Sequence, residues 1–208
     1  MQKVYIYKSF ERFWHWGQAA LIIFLLFSGF EVHSSYNFLG FERAVLYHNI
    51  AGWALIALYV LSFFWHIVTG EWRQYIPTTK NLVAQIEYYL IGIFKNAPHP
   101  SQKSLSNKLN PLQRIVYLGI NLIIIPLMIL SGLTYLFNRY QSNDTIKSLN
   151  FGEIGDIATI HTIGAFLLVM FLIVHLYLIT TGHTVTAGLR GMLTGYEELE
   201  ENKEENKK

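Results

Sequence analysis

The chain has 208 residues, of which 52% are hydrophobic and only 14% are charged, whereas about 25% of a soluble domain is charged. This composition excludes an ordinary soluble domain and favours a membrane protein. The net charge of +2 indicates no particular partner, and we expect no nucleic acid among the partners. The sequence has no cysteine, which excludes disulfides, thiolate-bound iron–sulfur clusters and haem attached covalently through a C-x-x-C-H motif.

Four apolar segments are long enough to cross a bilayer, and they lie at about residues 13–30, 46–68, 112–137 and 157–181. They predict an all-α, four-helix membrane bundle that forms a single domain over residues 1–208. Basic residues precede the first segment, as in a secretory signal, but aromatic residues open it and it lacks a small-residue cleavage pattern. We therefore interpret it as a mature helix. In the third segment, Pro126 predicts a kink.

The polar connections carry three further predictions. The amphipathic stretch Lys80–Lys95 has apolar residues at helical spacing, which predicts a helix lying either on the inner membrane surface or against a partner subunit. The linker at residues 96–108 is polar, and its His99 is expected to be exposed. The acidic end, residues 197–208, is predicted to be a solvated tail.

The distribution of lysine and arginine predicts the topology. Thirteen of these residues lie in the two ends of the chain and in the connection between the second and third segments, and three lie on the other side. The positive-inside rule therefore places both termini in the cytoplasm. We expect a multi-pass protein of the inner (cytoplasmic) membrane.

Two histidines in the fourth segment are the most informative residues. His161 and His175 lie fourteen residues apart, which is close to four helical turns, so both imidazoles share a helix face at a separation of roughly 21 Å. This places one near each face of a bilayer core about 30 Å thick. Ionisable side chains inside a membrane are usually functional. Two buried cofactors suit this arrangement, and non-covalent haem bound by histidine, the b-type arrangement, suits it best.

Each of these histidines needs a partner at a similar depth. His48 opens the second segment from the outer side and matches His161. For His175, both His15 and His66 are candidates. His66 follows His48 by eighteen residues, about 27 Å along a helix and roughly 6 Å more than the separation of the other pair, so the spacing favours His15 and leaves His66 open. Two other histidines are expected to be interfacial, namely His33 and His183.

Several motifs together carry a resemblance to a known family. They are Arg12-Phe-Trp-His15-Trp, His48-x3-Gly52, His66-Ile-Val-Thr-Gly-Glu-Trp-Arg73-Gln-Tyr, His161-x13-His175 and Gly191-Met-Leu-Thr-Gly195-Tyr-Glu. The chain resembles, over almost its whole length, the di-haem cytochrome b subunits of nickel-iron hydrogenases, formate dehydrogenases and thiosulfate or tetrathionate reductases.

The resemblance implies a ligand set and a function. His15 with His175 would bind the inner haem b, and His48 with His161 the outer one. Such a subunit transfers electrons across the bilayer between a menaquinone or ubiquinone pool and a peripheral redox enzyme or multihaem cytochrome c on the outer face, and it anchors that partner to the lipid membrane. The chain would thus be an electron-transfer subunit of a membrane oxidoreductase.

Four residues near the proposed ligands are candidates for contact with the haems. Gly17, Gly52 and Gly164 lie within four residues of a ligand and would let a porphyrin approach the backbone. Close helix packing explains each of them equally simply. Among the arginines near the membrane faces, Arg12 is our choice as a partner of a haem propionate.

The inner end is also the predicted quinone site. His66, Arg73 and Tyr75 would supply hydrogen bonds and a proton route beside the inner haem. Trp72, Arg73 and Tyr75 are alternatively ordinary interface anchors. Two other classes of protein remain open, a transporter with a histidine proton relay and a membrane anchor without a cofactor. None of the four segments contains a carboxylate that a relay would normally add.

Overall fold

We describe a computed structural model of the chain, covering residues 2–95, 97–101, 104, 107–140, 154–182 and 184–199. It contains these helices and strands: β1 (Gln2–Tyr5), α1 (Ser9–Val32), α2 (Phe41–Thr69), α3 (Leu82–Leu90), α4 (Pro111–Gly119), α5 (Ile125–Tyr140), α6 (Ile154–Ile179), α7 (Ala187–Thr194) and β2 (Tyr196–Leu199). Two 3₁₀ turns lie at Glu71–Tyr75 and Gly92–Lys95. Predictions on His183 and on residues 200–208 concern positions outside the described residues.

Within the described residues, four helical segments are long and apolar enough to cross a membrane: Ser9–Val32, Phe41–Thr69, Pro111–Phe137 and Ile154–Ile179. They agree with the four predicted spans. A helix satisfies its backbone N–H and C=O groups with its own hydrogen bonds. This is required in a membrane because the bilayer core offers these groups no partners. Large apolar side chains on these helices are exposed, for example Phe166 and Ile173 on α6, as expected for surfaces that face lipid.

The third span is not one regular α-helix. A π-helical segment, Ile120–Ile124, separates α4 from α5, and the N–H of Ile125 bonds the carbonyl of Ile120. Pro126 has no N–H to donate to the preceding turn, so the usual hydrogen-bond ladder is interrupted at this position. The sequence predicted a kink at Pro126, and the irregular backbone lies immediately before it.

Two predictions about the connections need correction. The predicted helix at 80–95 is shorter, because α3 ends at Leu90 and a 3₁₀ turn begins at Gly92, a residue of low helix propensity. The predicted solvated tail at 197–208 begins instead in a strand. β2 pairs antiparallel with β1, with Lys3 opposite Glu198 and Val4 opposite Glu197.

The chain divides into two compact units. We call the first, residues 1–20, 57–118 and 175–208, the terminal unit, and the second, residues 21–56 and 119–174, the central unit. The helices α1, α2 and α6 each contribute residues to both units. The third span passes from the terminal unit to the central unit at residue 119.

In the terminal unit, the end of α7 is held by side chains of α1. Arg12 Nη1 donates to the carbonyl of Leu193 at 2.6 Å, and Trp16 Nε1 donates to the carbonyl of Met192 at 3.0 Å. These carbonyls belong to the last turn, whose acceptors lack partners within the helix. Gly195 then ends α7 with φ of 88°, and a Cβ there would lie 2.4 Å from the Tyr5 ring, so a side chain would clash with β1.

Four charged side chains form a cluster in the terminal unit, which we call the ion cluster. Lys108 Nζ contacts Glu11 at 2.7 Å and Glu71 at 3.0 Å, and Lys8 Nζ contacts Glu71 at 2.7 Å. Burial alone would raise the pKa of Glu71, but hydrogen bonds from Lys8 and Lys108 outweigh burial, so this pKa lies below its ordinary value. The hydrogen bond with Glu71 raises the pKa of Lys8. The cluster ties the start of α1 to the connection that follows α2.

In the central unit, the start of α2 is organised by a buried carboxylate. Glu31, near the end of α1, is 2% exposed. Its Oε1 accepts the N–H groups of Phe38, Leu39 and Gly40 at 2.6–2.8 Å. These groups precede the first turn of α2, where a negative charge also interacts favourably with the helix dipole.

Candidate functional site

The structure brings His48 and His161 together in the central unit. His48 lies on α2 and His161 on α6, and their ring centres are 6.3 Å apart with an angle of 71° between the planes. The sequence predicted this pair from matched depth. The contact shows that the two side chains approach each other from different helices.

Both rings of this pair have a serine partner that the sequence analysis missed. Ser28 Oγ lies 2.9 Å from His48 Nδ1, and Ser131 Oγ lies 2.9 Å from His161 Nδ1. Each serine is followed by a glycine, and the repeated Ser-Gly step was a visible signal. Its meaning was hidden because a serine in an apolar helix often bonds only its own backbone.

The second pair, His15 and His175, lies in the terminal unit. His15 is on α1 and His175 on α6, and their ring centres are 6.2 Å apart with an angle of 50° between the planes. Among the described residues, His15 Nδ1 is buried without a hydrogen-bond partner. The Trp16 ring packs edge-to-face against His15 at 5.3 Å.

The spacing of both pairs fits one iron atom between two imidazoles. An imidazole nitrogen binds a transition metal at about 2 Å and lies roughly 1 Å from its ring centre, so two rings on opposite sides of one metal have centres about 6 Å apart. The observed separations are 6.2 and 6.3 Å. Among the described residues, no group of three or more His, Cys, Asp or Glu side chains could hold a metal. Two histidines per metal fit haem, whose porphyrin supplies the remaining ligands.

His66 is engaged elsewhere. Its Nδ1 contacts the carbonyl of Ser62 at 2.7 Å, and its Nε2 lies 3.3 Å from the Tyr75 hydroxyl. The Trp14 ring packs against it edge-to-face at 5.3 Å. This arrangement supports His15 over His66 as the partner of His175, which the sequence had left open.

The three predicted quinone residues are only partly brought together. Tyr75 contacts His66, and burial raises the pKa of Tyr75 above its ordinary value, so its hydroxyl stays protonated. Arg73 instead stacks over the Trp72 ring at 5.7 Å, and Trp72 is 47% exposed. This contact supports the alternative that Trp72 and Arg73 are interface anchors.

Arg12 and the three glycines differ in what surrounds them. Arg12 Nη1 and Nη2 bond protein atoms, whereas Nε is buried with no partner among the described residues. A Cβ at Gly17 would lie 3.1 Å from Leu58, and one at Gly164 would lie 2.5 Å from Met128. These two glycines therefore serve close helix packing. A Cβ at Gly52 would meet no atom of the described residues within 4 Å, so the space beside Gly52 is open in the part of the chain that the structure describes.

The comparisons with known proteins identify the family of the chain. The family described as prokaryotic cytochrome b561 matches residues 6–195. The chain belongs to the prokaryotic cytochrome b561 family. It is 28% identical over 200 residues to the putative cytochrome YdhU of Escherichia coli (strain K12), covering 94% of this chain and 75% of that protein. No solved structure matches the chain significantly.

A second relative is the probable Ni/Fe-hydrogenase B-type cytochrome subunit of Rhizobium leguminosarum bv. viciae. It is 26% identical over 196 residues, and the match covers 85% of this chain and 80% of that protein. The family match and the two relatives confirm the family that the sequence resembles. They also confirm the all-α membrane bundle, b-type haem and a role in electron transport. The cytochrome is a multi-pass protein of the inner membrane. These findings favour the cytochrome over a proton-relay transporter or a cofactor-free anchor.

Proposed function

We propose that this cytochrome binds two haem b groups, one between His15 and His175 and one between His48 and His161, and transfers electrons across the membrane. The observation that supports it is the equal spacing of the two ring pairs, 6.2 and 6.3 Å. When bound, haem supplies one-electron chemistry at its iron. The two pairs share α6, with His161 and His175 fourteen residues apart on it.

The protein's own groups determine the properties of each site. Neutral imidazoles bind the iron, and apolar helix surfaces exclude water, which sets the local dielectric and hence the reduction potential. The buried Nε of Arg12 is a hydrogen-bond donor for a haem propionate at the His15–His175 site. Gly52, one helical turn after His48 on α2, leaves space beside the His48–His161 site.

The quinone site is proposed at the cytoplasmic end, with His66 and Tyr75 as its polar groups. The Tyr75 hydroxyl and the His66 imidazole lie 3.3 Å apart, and both lie in the terminal unit with His15 and His175. A quinone carbonyl needs hydrogen bonds and a route for protons to water. Trp14, next to His15 in the chain, packs on His66 and links this site to the His15–His175 pair.

The partner is proposed to be a peripheral redox enzyme or a multihaem cytochrome c on the outer face, which this subunit anchors to the lipid. One relative is named a Ni/Fe-hydrogenase cytochrome subunit, which supports an oxidoreductase partner. With both termini in the cytoplasm, the His48–His161 haem would face that partner. Electrons would then cross the membrane between the partner and the quinone pool.

Haem stoichiometry tests the ligand assignment. We expect two extractable haems per purified chain in a pyridine haemochrome assay. Substitution by alanine of any one ligand, His15, His48, His161 or His175, should remove one haem and leave the other. The control His66→Ala should keep both and slow quinone turnover. One haem in the parent protein, or loss of a haem in His66→Ala with His15→Ala unaffected, would contradict the assignment.

A quinone-analogue inhibitor tests the quinone site. It should shift the spectrum or the midpoint potential of the haem that is lost in His15→Ala, and it should lose this effect in Tyr75→Phe. If it perturbs only the haem that is lost in His48→Ala, the quinone site lies at the outer side instead.

A further inference from the structure

Two Ser-Gly steps lie against the His48–His161 pair, and they repeat the same arrangement on different helices. Ser28-Gly29 on α1 faces the ring of His48, and Ser131-Gly132 on α5 faces the ring of His161. Both serines are buried, with 0% and 9% of their surface exposed. Neither step belongs to the ligand set, and both lie in the central unit.

Each serine hydroxyl has a backbone acceptor, which leaves its oxygen available to accept a hydrogen bond from the ring. Ser28 Oγ donates to the carbonyl of Phe24 at 2.9 Å, and Ser131 Oγ donates to the carbonyl of Leu127 at 2.6 Å. A hydroxyl has a single hydrogen to donate. With that hydrogen on the backbone carbonyl, the serine oxygen accepts from the imidazole, and the Nδ1 that faces it bears the hydrogen.

Each serine hydroxyl has a second carbonyl within reach on the same helix turn. Ser28 Oγ lies 3.3 Å from the carbonyl of Leu25, and Ser131 Oγ lies 3.3 Å from the carbonyl of Met128. A carbonyl oxygen accepts hydrogen bonds and cannot donate, so the backbone offers each hydroxyl hydrogen two acceptors beside the ring. With Nδ1–H on the serine oxygen, each ring keeps the lone pair of Nε2 for a metal.

The glycine of each step lets the ring approach the helix. A Cβ at Gly29 would lie 3.4 Å from Cε1 of His48, and a Cβ at Gly132 would lie 3.1 Å from Cε1 of His161. At Gly132 this distance is shorter than an ordinary contact, so alanine would displace the ring of His161, whereas at Gly29 it is at the limit of an ordinary contact. The two residues of each step therefore act together: the serine accepts the hydrogen bond, and the glycine leaves room for the ring.

We propose that Ser28 and Ser131 are positioning residues that hold His48 and His161 with Nδ1–H on the serine oxygen and Nε2 directed to the haem iron. This inference rests on the proposed function, which makes these histidines the ligands. A hydrogen bond from Nδ1–H increases the electron donation of the ligand and fixes the ring orientation. It stabilises the oxidised iron and lowers the midpoint potential of this haem relative to the same site without the serines.

The test combines four serine variants of the full-length cytochrome in detergent with one control. Ser28→Ala, Ser131→Ala and the double variant each remove an acceptor, and Ser28→Thr retains the hydroxyl. Ser62→Ala is the matched control, because Ser62 is a buried serine, 3% exposed, that contacts His66 Nδ1 at 3.3 Å instead of a proposed ligand. The measurements are haem content, a potentiometric titration of both haems, and the rate of haem transfer to excess apomyoglobin.

We expect the midpoint potential of the haem that is lost in His48→Ala to rise in each alanine variant, and to rise further in the double variant. Transfer of that haem to apomyoglobin should be faster by about 10- to 100-fold, the usual consequence of losing an outer partner of a metal ligand. The other haem should be unchanged. Ser28→Thr should keep the parent potential, and Ser62→Ala should match the parent in all three measurements.

The outcomes separate this inference from the proposed function. If His48→Ala removes one haem but the double serine variant retains both haems at the parent potentials, the positioning role is wrong and the ligand assignment stands. If Ser62→Ala shifts the potentials as much as Ser28→Ala, the serines act only through general packing. If His48→Ala loses no haem, the proposed function itself fails.

Discussion

The two histidine pairs have nearly the same ring spacing but different support. In the central unit, both His48 and His161 have a serine oxygen 2.9 Å from Nδ1. In the terminal unit, His15 Nδ1 is buried with no hydrogen-bond partner among the described residues, and the nearby structure is held by the ion cluster. Equal ring spacing in the two pairs therefore does not imply that their imidazoles are equally strong electron donors. The ring with a hydrogen-bonded Nδ1 is the stronger electron donor.

The difference extends to how each unit is stabilised. The central unit relies on neutral hydrogen bonds and one capping carboxylate, whereas the terminal unit relies on paired charges at Lys108, Glu11 and Glu71. A neutral hydrogen bond contributes about 1 kcal/mol, while breaking a buried ion pair costs about 3–5 kcal/mol. Variants in the two units should therefore differ both in size of effect and in dependence on pH.

The largest effect is expected from Lys108→Met. Lys108 is 7% exposed, and its loss leaves two largely buried carboxylates without their shared cation. We expect destabilisation of about 3–5 kcal/mol, measured by unfolding in detergent with circular dichroism. Lys80→Met, at an exposed position, is the control. Neutralising both carboxylates as well, with Glu11→Gln and Glu71→Gln, should recover most of the loss. An unchanged stability in Lys108→Met would show that the ion cluster contributes nothing.

The next effect is expected from Glu31→Ala in the central unit. This change removes the acceptor of three backbone N–H groups before α2, and we expect a loss of about 2–3 kcal/mol. Glu31→Gln keeps an acceptor oxygen and should lose less, whereas Glu42→Gln, at an exposed position, should be near the parent. Equal losses in Glu31→Gln and Glu31→Ala would show that the charge, and not the acceptor geometry, stabilises the start of α2.

The pH dependence of stability should distinguish the terminal unit. Because the folded-state pKa of Glu71 lies below its ordinary value, its carboxylate stabilises the fold above the ordinary pKa of about 4.3. That contribution is lost as the pH falls through the lowered value. The difference in Tm between the parent and Glu71→Gln should therefore be largest near pH 7 and shrink in acid. Glu87→Gln, an exposed control, should show no such convergence.

The sequence predicted the four spans well, for a physical reason, and the histidines that it paired have their rings in contact. Length and apolar composition determine which segments cross a bilayer, and the helical rise relates the sequence position of a histidine to its depth. His48 could be matched to His161 on depth alone. For His175, depth left both His15 and His66 possible, and the contact between His66 and Tyr75 could not be seen from spacing.

Two features could not be predicted from the sequence: the serine partners of His48 and His161, and the pairing of the two ends of the chain. Ser28 lies 20 residues from His48, and Ser131 lies 30 residues from His161, so their contacts follow from how helices pack. The pairing of β1 with β2 joins opposite ends of the chain. The segment 197–199 is acidic and contains few apolar residues. Pattern alone therefore predicted a solvated tail.

The smallest expected effect compares the two glycines of the Ser-Gly steps. A Cβ would lie 3.1 Å from the His161 ring at Gly132 and 3.4 Å from the His48 ring at Gly29. Gly132→Ala should therefore move its histidine more than Gly29→Ala. We expect a larger change in the low-temperature α-band, or in the electron paramagnetic resonance g-values, of the central-unit haem in Gly132→Ala.

The control for this comparison is Gly119→Ala, since a Cβ at Gly119 would meet no described residue within 4 Å. Alanine there should leave both haem spectra unchanged and gain up to about 1 kcal/mol from helix propensity. The same propensity gain applies to Gly29 and Gly132, so a spectral change without loss of stability would separate displacement of the ring from unfolding. If Gly29→Ala changes the spectrum more than Gly132→Ala, clearance at the ring edge does not determine how these histidines are held. The serine oxygens would then be the dominant support of the pair.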